Sequence, residues 1–529
     1  MIAGGRVWTG LSSGRGQPGA VAIGRGRILA VGDSTTIARF MGAGTRVLRA
    51  DGGLVMPGFA DAHTHFIEGG FQLGEIDLRS ARTPREFIQR LADYARQVPE
   101  GRWITGGAWD HTLWPGAPLP RKDWIDSVTP HNPVFVYRLD GHEALANSAA
   151  LHAAGITKDT RAPVGGEILR DPRTGEPLGV VKDQALGLLE AAVPAPTDAE
   201  RDSALVRALA HAESLGVTAV AHMAASWADL ASYRRLERAG RLTLRIAAYL
   251  PLAEWRRIAD SVRLERSHGE DDWVRIAGCK GFMDGSAGSR TASFFEPYAD
   301  SAGYTGLLRH PEADLRAWIG AADSAGLQVT LHAIGDRANA LALSIYDSVA
   351  HAHGARDRRF RIEHAQHLRP ADIPLFGERG VVASVQPVHL VDDGRWIEGR
   401  IGPERIKTSY AYRRLLDTGA TLALGTDWPV ASLDPILGVA AAVTRRTADG
   451  KNPSGWVPEQ KITLAEALRA YTWGSAWASF DERTWGTLAP GQLADIVVLD
   501  RDLFALAPDS LDQDRVRYTI VGGTLVFAR

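Results

Sequence analysis

Apolar runs at the two ends of the chain are short and broken by glycine pairs, whereas those in the middle alternate with longer amphipathic stretches. Near the start, Ala20-Val21-Ala22-Ile23 leads into Gly24-Arg25-Gly26 and then Ile28-Leu29-Ala30-Val31-Gly32. Two β-rich runs around glycines predict a hairpin. Near the end, Ala494-Asp495-Ile496-Val497-Val498-Leu499 reads as a strand. Tyr518-Thr519-Ile520-Val521, Gly522-Gly523 and Thr524-Leu525-Val526-Phe527 read as a second hairpin. One small β-sandwich domain drawn from both termini accounts for both ends.

Between them, strand-like runs follow helical stretches. Thr218 to Ala221 follows the helical stretch from Leu205 to Leu215, and Leu327 to Leu331 follows the one from Leu315 to Ala322. Gly380 to Val385 and Thr421 to Leu424 likewise come after Ile373 to Glu378 and Tyr412 to Asp417. Repeated strand and helix imply a parallel sheet, and at this length a closed (β/α)8 TIM barrel of the α/β class fits best. A doubly wound dinucleotide-binding sheet is the competitor, but no Gly-x-Gly-x-x-Gly follows the first strand.

Residues 67–200 break the rhythm. Trp103, Trp109, Trp114, Pro115, Pro118, Pro120 and Trp124 crowd this stretch, which is too long for a barrel loop. It reads as an inserted α/β subdomain leaving after the first barrel strand and lying over the active site. The expected division is 1–55 for the first part of the β-sandwich and 56–66 for the first barrel strand. The insertion takes 67–200, the rest of the barrel 201–480, and the second part of the sandwich 481–529.

Bulk properties narrow the function without naming it. Of 529 residues, 45% are hydrophobic and 23% charged, with a formal net charge of -2. No global field draws the chain to nucleic acid or to an acidic membrane. The single cysteine, Cys279, cannot form an internal disulfide, and its apolar setting from Ile276 reads as core. No leader-like start is visible, and no uninterrupted apolar stretch approaches the ~18 residues of a membrane helix. The expected location is the cytoplasm.

The candidate chemistry begins at Val55-Met56-Pro57-Gly58-Phe59-Ala60-Asp61-Ala62-His63-Thr64-His65. Side chains two apart on a strand share a side, so His63 and His65 are either a ligand pair for one cation or two structural histidines. His332, His364, Asp427 and Lys280 also follow strand-like runs. In a barrel, the C-terminal strand ends converge on one rim, so residues distant in sequence meet there.

These motifs together resemble the amidohydrolase superfamily, in its branch that includes N-substituted formamide deformylase. The resemblance spans almost the whole chain. It includes Pro57-Gly58-Phe59 with the His-x-His pair, Asp140-Gly141-His142, Asn147-Ser148-Ala149 and Lys280-Gly281-Phe282-Met283-Asp284-Gly285-Ser286. It continues through His332-Ala333-Ile334-Gly335-Asp336, Arg361-Ile362-Glu363-His364-Ala365-Gln366, Gly425-Thr426-Asp427-Trp428-Pro429 and Gly486-Thr487-Leu488.

The resemblance implies that His63 and His65 bind the more buried metal, that His332 and His364 bind the second, and that a carboxylated Lys280 bridges them. A bare ammonium repels a cation, whereas a carbamate is an anionic oxygen donor. Asp427 would touch the metal-bound water, take its proton and pass it to the leaving nitrogen. The implied cofactor is two zinc ions per subunit, although manganese, iron or cobalt could fill similar sites.

Other residues keep two readings. His142, Asp284, Arg290, Gln386, His389 and Trp428 each either contact substrate or fix local structure. His222 stands where the family often has an Asp-containing motif; it either points at the rim or contacts substrate, and is not read as a ligand. The expected enzyme is a metal-dependent hydrolase of a non-peptide C–N bond, amide or N-formyl, in a small-molecule substrate. Its rivals are a one-metal deaminase or esterase on the same scaffold and a non-catalytic binding or regulatory homologue. A symmetric homodimer is favoured by base rate alone.

Overall fold

Strands buried on both faces appear in sequence as nearly continuous apolar runs. Phe59-Ala60-Asp61-Ala62-His63-Thr64 and Val217-Thr218-Ala219-Val220-Ala221-His222-Met223 are buried at every position. The computed structural model describes all residues except 13, 139–141, 164 and 266–272. It comprises two units, Met1–Gly69 with Leu205–Arg529, and Gly70–Ala204.

Eight parallel strands form the centre of the larger unit: β1 (Phe59–Thr64), β2 (Val217–Met223), β3 (Arg245–Pro251), β4 (Val274–Phe282), β5 (Gln328–Ala333), β6 (Arg361–His364), β7 (Val382–Val385) and β8 (Leu422–Leu424). Their spatial order is their chain order. An isolated parallel bridge between Thr64 and Trp428 joins the first strand to the segment after the last. This is the TIM-barrel architecture expected from the alternating pattern. The sequence reading had not singled out β3, whose Arg245, Tyr249 and Pro251 interrupt its apolar character.

Helices return the chain between strands, and their starts follow capping chemistry. Ser226 and Asp229 make a reciprocal capping box at Trp227–Arg238. Asp434 caps Pro435–Thr444 through its side chain. Each such cap is worth about 1 kcal/mol.

Both termini enter one eight-stranded sheet. Its path runs from Thr524–Ala528 through Val516–Val521, Ile496–Leu499, Leu54–Pro57, Ile2–Val7 and Gln17–Gly24 to Arg27–Gly32. Leu48–Arg49 pairs with Ile2–Val7 off that path. Ile2, Val21, Val55, Ile496, Val498 and Ile520 share its core. Leu54–Pro57 leads directly into β1, so the start of the barrel is anchored in this sheet.

The smaller unit has its own six-stranded sheet. Phe87, Leu91, Trp109, Trp114, Val136 and Leu145 belong to one of its cores. Trp109 and Trp114 both donate from Nε1 to backbone carbonyls, of Val136 and Ala81. Two of the tryptophans in this Trp-rich stretch therefore serve the unit's interior.

A cavity of about 280 Å³ lies around the N-terminal halves of β1, β2 and β3, beside Ala60, Ala62, Ala219, Ala221 and Ala247. None of the five predicted metal ligands lines it, nor does Asp427. Their strand ends point the other way. Among the described residues, no helix is long and apolar enough to cross a membrane.

Candidate metal centre

The closure between β1 and β8 also builds the site. The Asp427 backbone N–H donates to the His63 carbonyl at 2.7 Å, and His65 N–H donates to the Trp428 carbonyl at 2.7 Å. The Asp61 carboxylate accepts from the Thr426 hydroxyl at 2.6 Å and from the backbone N–H groups of Thr426 and His63 at 3.0 Å each. Gly425 allows the close approach: a Cβ there would lie 2.6 Å from His63 N. Asp427 at φ 60° and His364 at φ 76° occupy the left-handed region, which costs a non-glycine residue free energy and is common at functional sites.

Side chains then converge on Asp427. Its Oδ1 lies 3.4 Å from His63 Nε2 and 3.2 Å from His65 Nε2. Its Oδ2 lies 3.8 Å from His389 Nε2. His63, His65 and Asp427 offer ligand atoms all within 4.8 Å of one another, and so do His364, His389 and Asp427. The His364 ring lies 4.8 Å from that of His63 and 4.4 Å from that of His332, measured between centroids. The structure thus gathers His63, His65, His364 and Asp427, and adds His389 to them.

Lys280 and His332 stand around this cluster without joining either three-residue group. Lys280 ends inside β4, is 1% exposed, and its Nζ has no hydrogen-bond partner among the described residues. Burial lowers its pKa to about 8, against the opposing pull of Glu363 and Asp427. His332 Nε2 faces the Gly285 carbonyl at 3.2 Å. Burial, then the Lys280 charge, takes His63 to about 4 and His332 to about 3. Both imidazoles are therefore neutral near pH 7, the form that donates a lone pair to a metal. Burial would raise Asp427, but the surrounding imidazoles, His63 foremost and then His65, hold it well below the usual carboxylate range.

These residues fit a divalent cation. Buried polar atoms nearly always find partners. Here Lys280 Nζ, His364 Nδ1, His389 Nε2 and Asp427 Oδ1 are buried without a hydrogen bond among the described residues. Nitrogen and carboxylate donors clustered in this way suit zinc and similar ions.

A charged support lies behind His63. Glu363 Oε2 meets His63 Nδ1 at 2.7 Å, which leaves Nε2 turned toward Asp427. Its other oxygen accepts from Arg361 Nε at 2.9 Å and from the Thr330 hydroxyl. Arg361, itself fully buried, also donates to the Ala62 carbonyl, Ser384 and Tyr249. Burial would raise Glu363, yet Arg361 and His63 hold it well below its ordinary value. Metal-binding histidines commonly have such an acceptor behind them. In sequence, Glu363 stands only inside the motif Arg361-Ile362-Glu363-His364, with no role attached to it. Its signal is the i, i+2 spacing from Arg361, which puts an opposite charge on the same side of a strand whose four residues alternate as Arg-Ile-Glu-His.

The remaining predicted residues divide. Asp284 accepts from Ile334, Gly335 and Ser293 N–H at 3.0, 2.8 and 2.8 Å, so it ties two loops together. Burial pushes it up to about 7 despite those donors. Arg290 forms a two-nitrogen ion pair with Asp300 on the surface. Gln386 is buried and donates to the Ser384 carbonyl, leaving Oε1 without a partner among the described residues. Trp428 is buried against Phe66 and His211. His142 lies in the smaller unit, is exposed, and meets Asp183 at 3.0 Å. Asp140 and Gly141, which precede it, lie outside the described residues.

Comparison with known proteins agrees with this geometry. The sequence profile described as "Amidohydrolase family" matches residues 46–527. The chain is 40% identical over 522 residues to the protein LONG AFTER FAR-RED 3 of Arabidopsis thaliana, covering 96% of this chain and 88% of that one. It is 28% identical over 530 residues to N-substituted formamide deformylase of Arthrobacter pascens, covering 96% and 95%. Its fold matches that of a metal-dependent hydrolase from Pyrococcus horikoshii OT3 with a TM-score of 0.79, at 30% identity, covering 96% and 98%.

Proposed function

The chain belongs to the amidohydrolase family, and from that premise we propose that it hydrolyses the amide or N-formyl bond of a small molecule. The enzyme is a metal-dependent hydrolase acting on carbon–nitrogen bonds other than peptide bonds. The observation that carries the finer reading is the convergence of His63, His65, His364 and His389 on the one carboxylate of Asp427.

His63, His65 and Asp427 would hold one cation; His364, with His332 or His389, would hold a second. Lys280, buried and without a hydrogen-bond partner among the described residues, suits the bridging carbamate. That group forms when the neutral amine adds to carbon dioxide and loses a proton. Zinc is the expected metal. When bound, the cation draws the pKa of a water from about 15.7 toward about 7 and polarises the scissile carbonyl.

Asp427 does the proton work. Held ionised by the surrounding imidazoles, it takes the proton of the attacking water and passes it to the leaving nitrogen. A general base of this kind contributes about 10²–10⁴-fold. Glu363 keeps His63 in one tautomer throughout, with the proton on Nδ1. The N-formyl class is supported by the likeness to N-substituted formamide deformylase, which extends over nearly the full length of both chains.

The test is metal analysis of protein purified without chelator, coupled to a screen of N-formyl and N-acyl amines. Release of formate or carboxylate with about two equivalents of metal is the expected result. Metal-loaded protein that turns over esters or aminopurines but no amide would overturn the amide assignment.

A further inference from the structure

Beside the metal-ligand candidates lies a second arrangement that the proposed chemistry does not use. His222 is the penultimate residue of β2, on the rim that carries His65, and its side chain is fully buried. Its ring stands nearly perpendicular to that of His65, with 6.4 Å between centroids. Nδ1 lies 2.6 Å from the hydroxyl of Tyr233, a buried residue on helix Trp227–Arg238. A buried tyrosine hydroxyl needs an acceptor, and Nδ1 is the one recorded for it among the described residues. If Tyr233 donates to Nδ1, the neutral imidazole carries its proton on Nε2.

That Nε2 lies 3.2 Å from Glu68 Oε2. Glu68 belongs to helix Phe66–Gln72, which starts immediately after His65. Tyr233 thus orients the ring, and the ring sets a carboxylate 3.2 Å from Nε2 at the edge of the site, although that nitrogen makes no hydrogen bond of good geometry among the described residues. Unlike His222, the Glu68 side chain is 51% exposed. No other side chain bonds its carboxylate among the described residues. Burial would raise its pKa, but the neighbouring His222 imidazole holds it at about 2, with a smaller pull from His65. A permanently ionised, oriented and half-exposed carboxylate beside a reaction centre is complementary to a cation.

We propose that Glu68, positioned by His222 and Tyr233, binds an ammonium or other cationic group on the substrate, so that the preferred amides carry a positive charge near the scissile bond. This rests on the amidohydrolase reading of the neighbouring site and adds a substrate class to it. Glu68 contacts the substrate; His222 and Tyr233 act through it. The competing occupant is a third metal ion, because Glu68, His222 and Asp229 present ligand atoms within 4.8 Å of one another. Against it, Asp229 Oδ2 is already committed to the Ser226 N–H and hydroxyl at the start of its helix.

The test compares mono-N-formylbutanediamine, which is cationic, with N-pentylformamide, which is neutral and of similar length. Binding to metal-loaded protein is measured calorimetrically, and turnover by formate release. Wild type should favour the cationic compound by about tenfold, the order expected of a charge-assisted hydrogen bond. In Glu68→Gln that preference should fall to within about twofold, through KM rather than kcat, with metal content unchanged. Tyr233→Phe should lose part of the preference at equal metal content, which a purely structural role would not produce.

Equal binding of the two compounds by wild type would overturn the proposal, as would an unaltered preference in Glu68→Gln. A third equivalent of metal lost specifically in Glu68→Gln would also overturn it. Charge-selective binding without formate release would retain the Glu68 assignment and sink the amide reading instead. Formate release without charge selectivity would do the reverse.

Discussion

The backbone N–H of Asp427 donates to the carbonyl of His63 across 2.7 Å, and the side chains of the same two residues meet at 3.4 Å. One contact closes the barrel and the other forms the centre of the candidate site. The proposed base thus has its distance to the first ligand pair set by barrel hydrogen bonds.

Replacing Asp427 by Asn should leave those backbone bonds in place and remove the proton acceptor. Turnover should fall by at least about 10²-fold, with metal still bound through the histidines. Steady-state kinetics beside metal analysis checks this; wild-type kcat in the variant would exclude Asp427 as the base.

Glu363→Gln keeps the shape behind His63 but removes the charge. Loss of such a partner weakens metal binding by about 10–100-fold, and competition with a chromophoric chelator measures it. Glu363→Ala should do more damage. Stripping one member from a buried ion pair costs about 3–5 kcal/mol, and here Arg361 would remain fully buried without its carboxylate. A thermal melt should show a marked fall in Tm.

Chelation should lower the melting temperature of the wild type, and added divalent metal should restore it. A ligand present at a hundred times its Kd stabilises the native state by about 2.7 kcal/mol. Calorimetric scans with and without chelator report the shift. Identical transitions under both conditions would show that no ion contributes to the folded state.

Asp284→Ala should destabilise the chain, because three backbone N–H groups lose their shared acceptor. Each unsatisfied buried donor costs about 1–3 kcal/mol. Denaturant unfolding is the measurement. If Asp284 instead served substrate alone, the midpoint would stay put while KM rose.

Cys279 is fully buried, and burial pushes its thiol up to about 12. Alkylation requires the thiolate, so at pH 8 the native protein should resist a thiol reagent that labels the denatured chain within minutes. Rapid stoichiometric labelling of folded protein, read by mass spectrometry, would contradict the buried setting.

Strand periodicity made the barrel legible in sequence because most of its strands are sealed on both faces and so lack a polar alternation. β3 escaped notice for the opposite reason: Arg245 and Tyr249 face polar partners, Asp495 and Gln328, found far along the chain. His63 and His65 were conspicuous because a strand places alternate residues on one side. Glu363 was not, since its importance comes from a neighbour 300 residues away, and His389 stood out only as a residue that contacts substrate or fixes local structure, not as a neighbour of His364 and Asp427. Asp284 keeps two readings in sequence, because its position after Lys280 is visible there whereas the three backbone donors it accepts from are not. Glu68 gave no motif at all; only the fold brings His222 and Tyr233 behind it.

Thr426, some 365 residues beyond Asp61, is bonded to it at the same seam that joins His63 to Asp427. Contacts of such long sequence separation form late, since so much chain entropy must be lost first. During synthesis, a nascent chain that already displays His63 and His65 lacks the carboxylate of Asp427 until the eighth strand has been made. The candidate centre is therefore completed only when the last strand closes the ring onto the first.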